Sequence, residues 1–201
     1  MSTRRIVVFD RVSADGYFAA PDGGLDWAVP DADLDKGAVS AMPGCDTLLF
    51  GRRTYENFEG FWPKALEELP SASDPHAEGR RSPELQAMAV WLTEVKKLVF
   101  SRTRKSATWK NTRFIPEFTP SMVEALKREP GKDILIFGSG SIVSLLTEHG
   151  LVDEYQFIVG PLLLGSGRPL IGGVSKRTRL ELLQAKPFSS GNVMLRYACA
   201  K

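Results

Sequence analysis

An α/β fold built on a mostly parallel central sheet is what this sequence predicts, and three observations predict it. The runs Ile6–Phe9, Thr47–Phe50 and Ile134–Phe137 are short, apolar and continuous rather than alternating, the pattern of strands buried on both faces. Segments with helical spacing of apolar residues lie between them. The last third changes to extended segments, Glu154–Val159, Leu180–Lys186 and Val193–Ala198, without a helix between the last two, so the sheet ends in an antiparallel hairpin.

In chain order, Ile6–Phe9 is the first strand and Asp33–Met42 the first helix, with Thr47–Phe50 as the next strand and Tyr55–Phe58 as a short helical turn. Lys97–Phe100 makes a further strand after the helix Glu84–Glu94, and the helices Ser121–Arg128 and Ser141–His149 bracket Ile134–Phe137. Strands alternating with helices imply α/β layers. Residues Pro63 to Pro83 are rich in Pro, Ser, Gly and charge, and read as a surface insertion rather than a linker. The 201 residues suit one domain, 1–201, able to bury a core without metal or disulfide staples.

Composition narrows the function. With 43% hydrophobic and 25% charged residues the chain is ordinary for a globular protein. A net charge of +2, from 26 basic and 24 acidic residues, is not the strong field of a nucleic-acid binder, so any anion site is local. Only four apolar residues follow Arg4 and Arg5, too few for a signal segment or a membrane span. Cys45 and Cys199 form no dense disulfide pattern, and a reducing cytosol is the simpler expectation.

Three strand ends carry the chemistry. In Phe137-Gly138-Ser139-Gly140-Ser141-Ile142 a buried strand runs through small residues into a helix, where free N–H groups and the positive end of the helix dipole suit a phosphate. The motif lacks the third glycine of G-x-G-x-x-G, and on it alone a tight turn with no ligand accounts for the residues equally well. Gly51-Arg52-Arg53-Thr54 follows the second strand, with two guanidiniums able to clamp the 2′-phosphate that separates NADPH from NADH, although on this loop alone a solvated basic turn is the better account. Ser101-Arg102-Thr103-Arg104 follows another. Ligands of open α/β sheets bind outside the carboxyl ends of the strands, and the joint occurrence of three such clusters is what points to a bound dinucleotide.

The residues resemble a known family. Gly51-Arg52-Arg53-Thr54-Tyr55-Glu56 is similar to the G-R-x-T-[WY]-E segment of dihydrofolate reductases, and Phe137 to Ser141 to their glycine-rich cofactor loop. Val12 to Ala19 resembles the S-x-D-G-x-[IF]-A segment of the riboflavin-pathway reductase branch, as do Leu151-Val152-Asp153-Glu154 and Gly160 to Leu170 its L-V-D-E and P-[VL]-L-L-G-x-G-x-P-L segments. The resemblance implies a dihydrofolate-reductase-like three-layer fold and an NADPH-dependent reductase acting on a small heterocycle, of pteridine or ribosylamino-pyrimidine type. It implies cofactor contacts at Gly51, Arg52, Arg53 and Thr54, at Ser101, Arg102 and Thr103, and at Gly138, Ser139, Gly140, Ser141 and Ile142. Asp15 and Gly16 match positions beside nicotinamide and substrate, and Glu154 an acidic residue near the substrate end. A homodimer is implied as well, and the apolar Leu162–Leu164 run fits one.

Reduction of an imine-type bond leaves a nitrogen that needs a proton. Trp27-Ala28-Val29-Pro30-Asp31-Ala32-Asp33-Leu34 is similar to the W-x-x-P-x-D-L stretch of the folate enzymes with one extra residue, which nominates Asp33 beside Asp15 and Glu154 as catalytic. Asp26, Asp31 and Asp35 lie close enough to compete, and a charged loop capping a helix explains any of them. Tyr17 and Trp27 are the aromatics best placed to stack on a flat substrate.

No metal is expected: Pro75-His76-Ala77-Glu78 imitates part of a zinc-deaminase signature, but no P-C-x-x-C accompanies it. His149, at a predicted helix end, reads as structural. A dinucleotide-binding sensor without catalysis, or a structural dimer without cofactor, remain the alternatives.

Overall fold

The structure, a computed structural model, describes residues 3–66 and 82–200. Its elements in chain order are β1 (Ile6–Ser13), β2 (Tyr17–Ala19), α1 (Ala32–Ala41), β3 (Cys45–Gly51), α2 (Arg52–Leu66), α3 (Pro83–Glu94), β4 (Lys96–Phe100) and β5 (Thr112–Ile115). Then come α4 (Pro120–Arg128), β6 (Asp133–Phe137), α5 (Gly140–Glu148), β7 (Glu154–Gly160), β8 (Arg168–Pro169), β9 (Leu180–Pro187) and β10 (Val193–Cys199). Eight strands form one sheet in the order β5-β4-β3-β6-β1-β7-β10-β9, and β2 pairs with β8 separately. Pairing is parallel from β5 through β7 and antiparallel for β10 against both neighbours, which is the expected C-terminal hairpin.

Neighbouring residues of the inner strands enter opposite faces, and this makes three layers. Leu49 and Leu98 join Ile6, Val8, Ile134 and Ile136 under Val143 and Leu146 of α5 and Val123 and Leu126 of α4. Leu48, Phe50 and Val99 turn the other way, to Tyr55 of α2, Leu92 of α3 and Trp109.

The helix starts follow capping chemistry. Asp31 accepts from the N–H groups of Asp33 and Leu34, Ser82 from that of Leu85 and Thr119 from that of Met122, and α3 and α4 each begin on proline. Helix α5 differs: its Ser139 cap is in the left-handed region, φ 59°, and gives no side-chain cap bond.

Two expectations need correction. The short turn at Tyr55–Phe58 is the start of a 15-residue helix, Arg52–Leu66, which runs through Gly60 and Pro63. Tyr55, Phe58 and Trp62 recur at helical spacing and pack on the sheet, and that burial overrides the poor local propensity. The ends of the supposed insertion are therefore helical, Pro63 belonging to α2 and Pro83 to α3, while its middle, with the Pro75–Glu78 segment, lies outside the described residues. The other correction adds β5, β2 and β8, each four residues or fewer and too short to show a period.

Candidate active site

The carboxyl ends of β1, β3, β4 and β6 open into a cavity of about 730 Å³, bounded also by α1, α2, α3 and the start of α5. All twelve residues expected to touch a cofactor line it: Gly51 to Thr54, Ser101 to Thr103 and Gly138 to Ile142.

The β6–α5 turn is stitched to its neighbours. Gly138 has φ +52° and Ser139 +59°, so two successive residues are left-handed. Their N–H groups are both engaged: that of Gly138 donates to Asp10 Oδ1 at 2.5 Å, and that of Ser139 to Thr54 Oγ1 at 3.0 Å. In return the Gly51 N–H donates to Ser139 Oγ at 2.9 Å. The hydroxyls of Thr54 and Ser139 are thus committed to holding two loops together. Ile142 and Val143 N–H donate to the Ser139 carbonyl, which leaves Gly140 and Ser141 N–H without acceptors among the described residues. A helix N-terminus with two free donors and no side-chain cap favours an anion.

The guanidiniums divide by role. Arg52 pairs with Glu56 one helical turn along, at 3.0 Å. Arg104 pairs with Glu59 at 2.7 Å and lies over the Tyr55 ring, clipping the loop after β4 to α2. Arg53 and Arg102 are exposed and have no ion-pair partner among the described residues.

The other side of the cavity is apolar. Leu34, Ala38 and Val39 come from α1, Phe58 and Trp62 from α2, and Met88 from α3, with Phe9 and Phe137 between. Phe137 stacks on Phe58 with centroids 5.8 Å apart and meets Phe9 edge-on. Asp10 and Arg11 are polar groups within this region that sequence reasoning missed, and Asp35, which it named only as a competitor of Asp33, joins them. Arg11 donates to the Val29 carbonyl at 3.0 Å and to Asp35 Oδ1 at 3.3 Å; burial lowers its pKa, with Asp35 and Asp31 opposing. Burial drives the Asp10 carboxyl well above its usual pKa, the Gly138 N–H acting the other way. A charged pair of residues inside an otherwise apolar strand, Asp10-Arg11, was the available signal.

The structure does not bring the other nominated residues to the cavity lining. Asp15 is exposed on the turn after β1, accepting from Ser13 Oγ and from the N–H groups of Leu164 and Gly165, which anchors the loop beyond β7; the Ser13 bond foremost lowers its pKa. Gly16 gives that turn its φ of +88°. Tyr17 pairs with Pro169 across β2 and β8. Trp27 faces Gly160 at the end of β7, its indole nitrogen buried and unpartnered among the described residues. Asp33 points outward in the first turn of α1, 3.6 Å from Lys36, while Asp35 two residues on takes the inward place, because helical rotation separates the two. Glu154 begins β7, six residues or about 20 Å from the strand end that faces the site. There it is buried against Arg196 at 2.7 Å and Arg5 at 3.1 Å.

A model of the RibD C-terminal domain matches residues 4–194, nearly the whole described chain. The chain belongs to the RibD C-terminal domain family. Among its relatives the uncharacterized protein YyaP of Bacillus subtilis (strain 168) is 32% identical over 197 residues, covering 98% of this chain and 96% of YyaP. The RibD-type fold recurs in a Shewanella sp. PV-4 protein provisionally assigned to riboflavin biosynthesis, with a TM-score of 0.73, 21% identity, and coverage of 98% and 99%. It recurs in the Thermotoga maritima diaminohydroxyphosphoribosylaminopyrimidine deaminase/5-amino-6-(5-phosphoribosylamino)uracil reductase, at TM-score 0.64 and 14% identity, over 98% of this chain and 57% of that one. Dihydrofolate reductase from Enterococcus faecalis, solved with NADP(H), shares it at TM-score 0.61 and 11% identity, with 98% and 97% covered. The fold is dihydrofolate-reductase-like. Among the described residues, no helix is long and apolar enough to cross a membrane, and no cluster of His, Cys, Asp and Glu is fit to hold a metal.

Proposed function

We propose that this chain is an NADPH-dependent reductase that passes hydride to a small, flat heterocycle held in the same cavity. The observation that carries the reading is the meeting, in one cavity, of uncapped N–H groups at α5 with two guanidiniums, Arg53 and Arg102, that have no ion-pair partner among the described residues, beside an aromatic wall. NADPH fits that donor set. Gly140 and Ser141 N–H suit its diphosphate, and Arg53 and Arg102 its 2′-phosphate, through charge-assisted bonds that NADH has no group to accept. When bound, NADPH supplies the hydride.

The chain's own part is to bind, orient and exclude water. Phe9, Phe58, Trp62 and Phe137 present the apolar surface that a planar ring would cover, and Asp35, held by Arg11, adds a directional polar group to it. The substrate class is a pteridine or a ribosylamino-pyrimidine, since both carry a flat ring with ring nitrogens that such a group can recognise. We place the activity in the cytosol, where the free thiols of Cys45 and Cys199 stay reduced. We also propose a homodimer, in which a second copy covers the exposed leucines Leu163, Leu182 and Leu183.

Titration with NADPH and NADH, followed by nicotinamide fluorescence and thermal stabilisation together, tests the reading. Tight NADPH binding that Arg53→Ala and Arg102→Ala each weaken about tenfold, with NADH affinity unchanged, is the expected result. Equal loss for both nucleotides would remove the arginines from the 2′-phosphate, and no binding of either would end the proposal. NADPH oxidation with dihydrofolate and with a ribosylamino-pyrimidine phosphate, whose sugar accepts the hydride, then separates a reductase from a non-catalytic binder.

A further inference from the structure

Asp10 is an unusual residue for its place. It lies in β1 between Val8 and Val12, both members of the core, and is 6% exposed, yet it lines the cavity. One carboxyl oxygen, Oδ1, accepts the Gly138 N–H at 2.5 Å. The other, Oδ2, is buried with no partner among the described residues.

Charged side chains surround the same cavity: Arg11 on β1, Asp35 on α1, Arg52 and Arg53 on α2, Glu84 on α3, and Arg102 and Arg168 from loop and β8. Neighbouring strands add none, since Asp10 lies opposite Phe157 of β7 and follows Phe9, which pairs with Phe137 of β6. None of these charges enters the balance at Asp10, where burial favours the protonated form and only the Gly138 N–H favours the ionised one. A buried carboxyl oxygen without a partner penalises the charged form, so the site favours the neutral acid.

We propose that Asp10 is a positioning residue of the dinucleotide loop that works as a neutral acid, holding the Gly138 N–H while placing no negative charge beneath the N-terminus of α5. The inference rests on the NADPH reading above. Gly138, tied to Asp10, is two residues from Gly140, which lines the cavity and whose N–H has no acceptor among the described residues. A carboxylate there would repel the diphosphate, so nucleotide binding and Asp10 protonation favour each other, and by linkage the preference is reciprocal. Bound NADPH raises the Asp10 pKa further. Affinity is therefore greatest below the pKa of the free protein and falls as pH rises through it, by at most about tenfold per pH unit for one proton.

Asparagine is the decisive substitution, because its amide oxygen keeps the acceptor for Gly138 and its NH2 replaces the OH without a charge. NADPH affinity is measured by fluorescence titration from neutral to alkaline pH in wild type, Asp10→Asn and Asp10→Ala. Both variants share the nucleotide's own titration, so the difference from wild type isolates Asp10. Wild-type affinity should fall with pH, Asn should match wild type at neutral pH and lose that dependence, and Ala should be about tenfold weaker throughout, having left the Gly138 N–H unpaired. Asn binding more than tenfold weaker at neutral pH, or a wild-type profile as flat as that of Asn, would overturn the proposal.

An infrared difference between wild type and Asp10→Asn, without nucleotide, reads the protonated carboxyl directly. If NADPH binds but that band is missing, the nucleotide reading stands and the neutral acid is refuted. If wild type binds no NADPH, the nucleotide reading fails and takes the coupling with it.

Discussion

Gly138 and Gly140 flank one serine and are glycines for different reasons. Gly138 has φ +52°, and a Cβ there would also sit 3.1 Å from the Thr54 methyl group. Gly140 is right-handed, but a Cβ would lie 2.9 Å from the Leu170 carbonyl oxygen and 2.9 Å from the Phe18 ring. The first is a conformational demand and the second a steric one. Gly138→Ala and Gly140→Ala should each lower stability, by about 1–3 kcal/mol on thermal or urea unfolding. The first acts through the N–H held by Asp10 and the second on the donor assigned to the diphosphate, so at matched temperature below both transitions each variant should lose NADPH affinity. Glu154 makes the opposite case. Its carboxylate accepts from Arg196 Nε at 2.8 Å, Arg5 Nη1 at 3.1 Å and Gln156 Nε2 at 2.7 Å, joining the residue before β1 to β7 and β10. Glu154→Gln should cost about 2 kcal/mol in unfolding free energy and leave NADPH binding unchanged; a loss of binding without a loss of stability would return Glu154 to the site.

Helix α1 depends on one aspartate at its start. Asp31 is buried, which raises its pKa, but bonds from Ser190 Oγ and from the N–H groups of Leu34 and Asp33 outweigh that and leave it lowered. Because the folded value is depressed, its stabilisation is full above the unfolded value of about 3.9 and is lost as pH falls through the folded one. Asp31→Ala should cost about 1 kcal/mol at neutral pH, and the gap from wild type should close in acid. A gap that persists in acid would mean the side chain acts by packing. Capping of this kind was legible in sequence, as were the buried strands and all three loops that line the cavity, since apolar runs and strand-end glycines and arginines are local signals. Helix α2 was not, because Gly60 and Pro63 argue against a helix that only packing on Phe50 and Phe137 sustains. Nor was the choice between Asp33 and Asp35, which turns on helix rotation about an extra residue. Asp10 escaped notice because its meaning depends on a glycine 128 residues away.

At the scale of the whole molecule, the sheet is covered unevenly. From β5 to β1 its strands are sandwiched between helices, whereas β9 at the far edge is exposed along nearly its whole length and β10 is only half-buried. Leu182 and Leu183 there are 57% and 53% exposed. The β9–β10 register shifts between Arg196 and Tyr197, and Leu183, opposite that step, is the unpaired residue. Such a bulge disfavours growth of the sheet by edge-to-edge pairing, so a second copy is expected to pack against the face of the hairpin rather than extend its edge. Leu163, 74% exposed beyond β7, adds to the apolar surface available. Sedimentation equilibrium should therefore find a dimer, and the double substitution Leu182→Asp with Leu183→Asp should give a monomer by placing like charges where two copies meet. Because both side chains are exposed in the single chain, the monomer should remain folded by circular dichroism. A wild-type protein that sediments as a monomer, or a double variant that still dimerises, would show that this surface is not the interface.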